Sequence, residues 1–365
     1  MITYICTAGT SIITINKLDL AHFAKWKLSE WDSRLQDIAE AEHFALQNIK
    51  EKTDSDLPRV SAELNSLIKM GLQPSDRVIL ISTETVEGKL CAELVRKVLI
   101  EKRLCHDVTV QVIKGLQAQD GRLFQQVGLK ELISFIAQFE HENVVFNPTG
   151  GFKSVVPYLT LAGMLFKKPV KYIHEFSDDV MSLANIPITY DEEAIFEVEG
   201  KLQQIDGNTF IGKQEWQRGI AFNDSRFETL VEESDGKITM SGIGLLLWEK
   251  FKADFPKELR DEVKLLDGKR KLPDFFGVAQ CHFQQLELSD GVLQTLKERS
   301  IDPRVIKCLH SIDHQQTTPG MRWHTFEGGE NLWYARFSGK GRIYVQMRSG
   351  LRPLVTAIDY DKKLQ

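Results

Sequence analysis

The chain has 365 residues, of which 42% are hydrophobic and 27% are charged, and its formal net charge is −5. This composition is typical of a soluble globular protein with room for two or three domains, and the negative charge argues against a protein that coats nucleic acid over its whole surface. No apolar run reaches the roughly 18 residues that a membrane helix needs, and the start lacks the features of a signal peptide. We therefore expect a cytoplasmic protein without a membrane partner.

Predicted strands and helices alternate in the first half of the chain. Short apolar segments at residues 4–5 and in RVILIS, VTVQVI, NVVFN and VKYIHEF predict five strands. Helical periodicity in residues 87–101, LKELISFIAQF and VVPYLTLAGMLF predicts helices between them. Such β-α-β units favour a mostly parallel sheet with helices on both faces, which binds ligands beyond the carboxyl ends of its strands. We predict a Rossmann-like α/β domain over residues 1–185.

The rest of the chain follows two other patterns. Residues 186–276 contain the charged helix DEEAIFEVEGKL, two Asp-Gly turns and the amphipathic helix IGLLLWEKFKADF, which indicate a connecting module; a small winged-helix-like unit is one interpretation. Residues 277–365 have the order strand (HFQQLELS), two helices and four short strands. This order predicts an α+β domain with an antiparallel sheet.

Two turns in the first domain carry the side chains expected of a ligand site. Ala8-Gly9-Thr10-Ser11 follows the first strand, and the turn of residues 147–154, NPTGGFKS, follows the fourth and precedes an apolar helix. Glycines let the backbone approach a ligand closely, a helix start favours anions, and Lys153 adds a positive charge. The second turn is not a P-loop, because G-x-x-x-x-G-K-[ST] is not matched. A plain tight connection is the alternative interpretation.

The segments ICTAGTSI, VILISTET and FNPTGGFKSVVPYLTLAGMLF resemble the CRISPR-associated Rossmann-fold (CARF) sensor family over about residues 1–180. The resemblance implies a homodimer whose two-fold axis passes through a shared pocket for a cyclic oligoadenylate, with cyclic tetra-adenylate as the first candidate. It leaves open whether the domain also degrades its ligand, as a ring nuclease does. The ligand-facing residues that it implies are Gly9, Thr10, Ser11, Thr83, Asn147, Thr149, Gly150, Gly151 and Lys153.

Basic residues cluster near the end of the chain, where six basic and two acidic residues lie between Met321 and Arg352. Strand alternation and the turn at residues 338–341 predict that Arg336, Lys340 and Arg342 come close together on a hairpin. Tyrosines beside these cations suit contact with RNA phosphates and bases. The sequence therefore predicts a surface that faces RNA.

This region, about residues 280–365, resembles the RelE family of ribosome-dependent mRNA endonucleases in its element order and its S-G-x-G-R-I-Y hairpin. The resemblance implies attack of the RNA 2′-hydroxyl on the adjacent phosphate, a cyclic phosphate product and no metal or other cofactor. It implies that Arg336 and Arg342 bind the scissile phosphate and that Lys362 or Lys363 lies near the leaving group. The family often has a tyrosine or histidine after the last strand; this chain has DYDKKLQ there, so the general acid stays open.

Arginine does not deprotonate in proteins, so His324 and Lys340 are the candidates for proton transfer, each with a structural role as the alternative. Arg304-x5-His310 matches the R-x(4–6)-H pattern of HEPN ribonucleases, but those domains are all-helical. Glu262-Val263-Lys264 resembles the E-x-K of another nuclease class, and a charged helix face explains it better. We expect buried, structural cysteines and no metal set among His282, His310 and His314. A ligand-responsive regulator without catalysis is the remaining alternative.

Overall fold

The computed structural model describes the chain except residues 19–22, 24–25, 118, 175–178, 184–185, 187, 208, 221–223, 315–323, 326–331, 339 and 361–365, and it gives residues 324–325 by their backbone alone. Contacts divide the chain into two compact units, Met1–Phe251 and Lys252–Gln365. Among the described residues, no helix is both long enough and apolar enough to cross a bilayer.

A parallel sheet forms the centre of the first unit. Its strands are β1 (Thr3–Thr7), β2 (Arg77–Ser82), β3 (Asp107–Val112) and β4 (Val144–Asn147), in the order β3-β2-β1-β4. Every residue of β1 and β4 is buried, as expected for a parallel sheet that helices cover on both faces. Because β1 pairs with β2 on one side and β4 on the other, the turns after these three strands meet at one edge.

The helices of this sheet are α1 (Ser11–Ile15), α2 (Leu35–Lys50), α3 (Ala62–Lys69), α4 (Val86–Glu101), α5 (Gly121–Leu123), α6 (Leu129–Ala137) and α7 (Val156–Leu165). Leu90 and Leu94 of α4 pack with Tyr4 and Cys6 of β1 in one apolar core. The predicted helix over residues 87–101 is therefore confirmed, with its start one residue earlier. Its apolar stripe supplies the burial that stabilises it.

The segment VKYIHEF does not continue the parallel sheet as a full fifth strand. Residues Lys171–Ile173 form β5, which pairs antiparallel with β6 (Val180–Ser182). Among the described residues, a parallel bridge between Phe146 and Val170 links this segment to β4 of the sheet. Part of this apolar segment does form a strand, as predicted. That strand, β5, forms its hydrogen-bonded ladder with β6 rather than with β4.

The region after β6 contains α8 (Glu192–Ile205), β7 (Ile211–Gly212), α9 (Lys213–Gln217), β8 (Val231–Ser234), β9 (Lys237–Met240) and α10 (Gly242–Asp254). The strands form an antiparallel sheet in the order β7-β9-β8. The side chain of Lys130, on α6, reaches this sheet: its Nζ donates to Thr239 Oγ1 at 3.2 Å and lies 3.4 Å from Glu232 Oε1. The connecting region and the helices of the parallel sheet thus share a buried polar contact within the first unit.

The second unit contains α11 (Lys257–Lys269), α12 (Phe275–His282), β10 (Glu287–Leu288), α13 (Asp290–Glu298), α14 (Pro303–Asp313), β11 (His324–Thr325), β12 (Leu332–Arg336), β13 (Arg342–Gln346) and β14 (Leu354–Asp359). The sheet order is β10-β14-β13-β12-β11, with β10 parallel to β14 and the other pairs antiparallel. The segment HFQQLELS contributes only the short β10, because its first residue, His282, ends α12. The Rossmann-like parallel sheet and the later antiparallel sheets are confirmed.

Candidate functional site

A cavity of about 240 Å³ lies at the edge where β1, β2 and β4 end. Its lining comes from the turns after β1, β2 and β4, the start of α4 and the loop after β3. The lining residues are Ala8, Gly9, Thr10, Thr83, Thr85, Glu87, Gly88, Gln119, Gly151 and Phe152. Gly9, Thr10, Thr83 and Gly151, which were predicted from separate parts of the sequence, therefore meet in one place.

The start of α4 gives this cavity a polar wall. The Thr85 side chain caps the helix by accepting a hydrogen bond from the Gly88 N–H at 3.0 Å, and its hydroxyl lies 3.0 Å from that of Thr83. A Cβ on Gly88 would lie 2.0 Å from Thr83 Oγ1, so only glycine fits there. Glu87 is partly buried, and desolvation raises the pKa of its carboxyl.

Asn147 and Thr149 do not line the cavity, although they belong to the predicted ligand turn. Both are buried, and Asn147 Oδ1 accepts a hydrogen bond from Thr149 Oγ1 at 2.6 Å. Asn147 Nδ2 donates to Ser66 Oγ at 2.8 Å, and Thr149 Oγ1 accepts from the Ile173 N–H at 3.1 Å. These side chains fasten the turn to α3 and β5, which explains polar residues at these positions without a ligand.

The other three residues predicted to bind the ligand, Ser11, Gly150 and Lys153, do not line the cavity either. Ser11 donates from its hydroxyl to Glu63 Oε2 at 2.9 Å and accepts from the Ala62 N–H at 3.0 Å. Gly150 lies so close to Glu63 that a Cβ would be 2.0 Å from Oε1. Lys153 is exposed at the start of a short 3-10 turn, Lys153–Val155. It is available to a ligand that extends beyond the cavity.

Glu63 is a buried residue beside the cavity that the sequence patterns did not predict. Its side chain, which is 1% exposed, stands between the two glycine turns, and Oε1 accepts a hydrogen bond from the Gly9 N–H at 2.7 Å. Burial raises the pKa of this carboxyl, although the hydrogen bonds from Gly9 and Ser11 act in the opposite direction. Acidic residues are common in the first turn of a helix, where they are usually exposed to solvent and interact favourably with the helix dipole. The local sequence therefore gave no sign that Glu63 is buried.

On the second unit, Arg336 and Arg342 are cross-strand neighbours in the β12–β13 hairpin. Arg336 is exposed and Arg342 half-buried. The Arg342 guanidinium carbon lies 5.2 Å from the centre of the Tyr334 ring. Among the described residues, neither arginine forms an ion pair, whereas Arg348 of the same basic segment pairs with Glu287. The predicted hairpin is therefore present and places Arg336 opposite Arg342, while the approach of Lys340 to the two arginines stays a prediction.

The candidates for proton transfer are described in part. Lys340 is exposed in the turn between β12 and β13. His324 lies opposite Tyr334 in the backbone register of β11 and β12. Lys362 and Lys363 lie outside the described residues. Tyr360 directly follows β14; its ring packs against Phe337 with centroids 5.3 Å apart, and burial, with Asp302 nearby, raises its pKa to about 12.

The HEPN-type pair is not assembled. Arg304 and His310 both lie on α14, but the Arg304 guanidinium bonds to Asp302, with NH2 and Oδ2 2.8 Å apart. His310 Nε2 instead lies 2.8 Å from both carboxylate oxygens of Glu262. An antiparallel sheet follows α14 in the chain, so this unit is not all-helical.

Two expectations about this region need correction. Glu262 is not simply part of a solvated helix face, because its carboxylate contacts both His310 and His282. His282 and His310 therefore do form a set of ligand-type side chains, with Glu262 as the third member. Desolvation lowers the pKa of His282, which Glu262 opposes. Spacings of 20 and 28 residues concealed the group, since its members come from three helices.

Residues 58–186 match a family described as CRISPR-associated protein (Cas_APE2256). The match covers less than half of the chain, and it includes Glu63, β2 with Thr83, α4 and the whole turn after β4. It supports a CRISPR association for this protein. No curated protein matches the chain.

Proposed function

We propose that this chain is a CRISPR-associated effector that binds a cyclic oligoadenylate in its first unit and cleaves ribosome-bound mRNA with its second. The observation that carries the proposal is the pairing of Arg336 with Arg342 on a hairpin, with Tyr334 beneath one guanidinium. Like charges directly opposite each other destabilise a sheet. Asp359 of β14 lies opposite Arg342 on its other side and offsets part of this penalty, and an anionic substrate between the two arginines would offset more of it.

The sensor cavity supports a nucleotide ligand by its position and its chemistry. It lies beyond the carboxyl ends of parallel strands, where open α/β sheets bind ligands, and it offers glycine backbone, threonine hydroxyls and a helix start. Glu87 would repel a phosphate and suits a ribose hydroxyl or an adenine amino group instead. Lys153, outside the lining, is the cation available for a phosphate.

The volume of the cavity favours a dimer. At about 240 Å³ it is smaller than the roughly 300–1,000 Å³ of sites that enclose drug-sized ligands. A cyclic tetranucleotide therefore needs more than one copy of this surface. A two-fold symmetric ring fits an isologous dimer in which each protomer supplies the same contacts.

The proposed cleavage uses groups of the RNA and of this chain. The 2′-hydroxyl attacks the adjacent phosphorus, the bond to the 5′-oxygen of the next nucleotide breaks, and a 2′,3′-cyclic phosphate remains. Arg336 and Arg342 neutralise the charge that develops on the phosphorane, and Tyr334 offers a ring for base stacking. One proton must leave the 2′-hydroxyl and one must reach the 5′-oxygen; Lys340, His324, Lys362 and Lys363 are the candidates.

The test uses full-length protein, purified translating ribosomes and cyclic tetra-adenylate. We expect mRNA cleavage with cyclic phosphate ends only when the ligand is present, and loss of cleavage in Arg336→Ala and Arg342→Ala. Lys271→Ala is the control, because Lys271 is an exposed cation of the same unit that lies outside the basic segment. Cleavage that does not depend on the ligand would refute the switch, and cleavage that survives both arginine substitutions would refute the assigned site.

A regulator without catalysis is the alternative that the connecting region favours, since Lys130 links this region directly to α6 of the sensor. In that case the ligand would still bind, and both arginine variants would retain full biological function. Shortening of the cyclic tetra-adenylate during incubation would instead indicate a ring nuclease.

A further inference from the structure

Three side chains of metal-ligand type, none of them from the arginine hairpin, converge in the second unit. Glu262 comes from α11, His282 from the end of α12 and His310 from α14. One ligand atom from each lies within 4.8 Å of the others. His310 Nε2 is 2.8 Å from both Glu262 oxygens, and His282 Nε2 lies against Glu262 Oε1.

The neighbouring residues hold this group in place. Asp313 accepts hydrogen bonds from the backbone N–H groups of Gln285 at 2.7 Å and Gln284 at 3.2 Å, which fixes the loop directly after His282. The Phe283 ring packs at 5.1 Å from the His282 ring and at 5.3 Å from the His310 ring. The ligand atoms are thus positioned by a folded frame, as metal sites require.

Hydrogen bonds explain only part of the close approach of Glu262, His282 and His310. A carboxylate can accept from two imidazoles, and His310 satisfies the geometry of such a bond. His282 Nε2, however, is buried and makes no hydrogen bond among the described residues, although it points at the same carboxylate. Three ligand-type atoms thus converge, and the contact of His282 Nε2 with Glu262 Oε1 lacks the geometry of a hydrogen bond, an arrangement that matches the needs of a cation.

We propose that Glu262, His282 and His310 bind a divalent transition-metal ion, with Zn²⁺ as the expected occupant. Two imidazole nitrogens and one carboxylate oxygen are ligands that Zn²⁺ accepts, at about 2.0–2.2 Å in tetrahedral geometry. Ligand atoms around such an ion are roughly 3.4 Å apart, so the ion enters with small outward shifts of the side chains. Hard cations such as Mg²⁺ prefer all-oxygen sites and are not expected.

One member of the group, His282, also borders open space. A cavity of about 410 Å³ adjoins the group and is lined by His282, Gln284, Gln285, Asp313 and His314. Three protein ligands with one open position are the arrangement in which Zn²⁺ holds water or a small anion. The ion would also tie α11, α12 and α14 together, and it shares no residue with the proposed cleavage site.

The first experiment measures the metal in the untagged, full-length protein. After removal of metal by a chelator and dialysis against Zn²⁺, we expect about one zinc per chain by mass spectrometry. Replacement by Co²⁺ should give the intense visible bands of a four-coordinate ion. Weak bands typical of octahedral Co²⁺, or no zinc retained, would overturn the proposal, and this measurement needs no variant.

The second experiment compares variants by calorimetric titration with Zn²⁺. Glu262→Gln keeps the shape of the side chain and is expected to weaken binding at least about 10-fold, and His282→Ala and His310→Ala should do so too. His43→Ala, which removes an exposed histidine of α2, is the control and should bind as the wild type does. Equal affinity in all four variants would overturn the site. Because this readout does not involve RNA, it can succeed or fail independently of the proposed ribonuclease activity.

Discussion

Glu63 Oε1 accepts a hydrogen bond from the backbone N–H of Gly9 at 2.7 Å, which ties α3 to the turn after β1. The same oxygen would lie 2.0 Å from a Cβ at position 150, so the carboxylate also sets the space left for the turn after β4. Both turns of the cavity are thus fixed by one buried acid.

The first prediction concerns the pH dependence of stability. Burial raises the folded-state pKa of Glu63 above its ordinary value of 4.5. The stability contributed by such a group is fully present below the unfolded pKa and is lost as pH rises through the folded one. Between about pH 4.5 and neutral pH, we expect the wild type to lose stability relative to Glu63→Gln, which is neutral throughout. Urea unfolding of both proteins over this range checks it; parallel pH profiles would contradict it.

Gly150→Ala is expected to destabilise the first unit. The new Cβ would meet Glu63 Oε1 at 2.0 Å and the Thr7 carbonyl oxygen at 2.9 Å, and overpacking of this kind costs about 1–3 kcal/mol. Gly200→Ala in α8 is the control, because its Cβ would meet nothing within 4 Å. That substitution should stabilise by about 0.5–1 kcal/mol. Urea denaturation midpoints measure both, and a Gly150→Ala midpoint at or above that of the wild type would refute the clash.

Lys130→Met is expected to weaken the contact between α6 and the connecting region. Lys130 is 5% exposed, donates a hydrogen bond to Thr239 and forms an ion pair with Glu232. Its replacement should therefore lower the free energy of unfolding by about 1–3 kcal/mol. The exposed ion pair Lys213–Glu233, with Nζ and Oε2 2.8 Å apart, provides the control. Lys213→Met should cost no more than about 1 kcal/mol. Equal effects of the two substitutions on thermal unfolding would show that burial of Lys130 contributes nothing.

Arg342→Ala should slow RNA cleavage about 10²–10³-fold, the usual effect of removing one group that stabilises developing charge. Tyr334→Phe keeps the ring under Arg342 and should change the rate little. Single-turnover rates with ribosome-bound mRNA provide the measurement. An mRNA with one 2′-deoxynucleotide at the cleavage position should resist cleavage; efficient cleavage of this RNA would exclude attack by its own hydroxyl.

Much of the first unit could be predicted because strand and helix periodicities in it are strong. Helix α4 and strands β1 to β4 follow from local patterns, and parallel pairing then brings Gly9, Thr83 and Gly151 to one edge. The pairing of β5 with β6 could not be predicted, since a short apolar strand suits either a parallel or an antiparallel neighbour. The sequence also could not show that the side chains of Asn147 and Thr149 form a hydrogen bond with each other rather than line the cavity.

The cross-strand position of Arg336 and Arg342 was predictable, because a short turn sets the register of a hairpin. The contacts of Glu63 and Glu262 were not. Each of these two residues lies on a helix at a position where local spacing suggests solvent exposure. Their partners are distant in sequence: Gly9 is 54 residues from Glu63, and His310 is 48 residues from Glu262. Tertiary packing alone decides which surface acids become buried.

The paired guanidinium groups of β12 and β13 make this hairpin responsive to the ions around it. Their mutual repulsion is relieved whenever a counter-ion resides between them, so phosphate or sulfate in the medium should slow amide hydrogen exchange in these strands more than chloride does. We therefore expect amide hydrogen exchange in this hairpin to be faster without a bound anion than with one. Local opening of the hairpin and binding of a polyanion would then be competing states of one equilibrium.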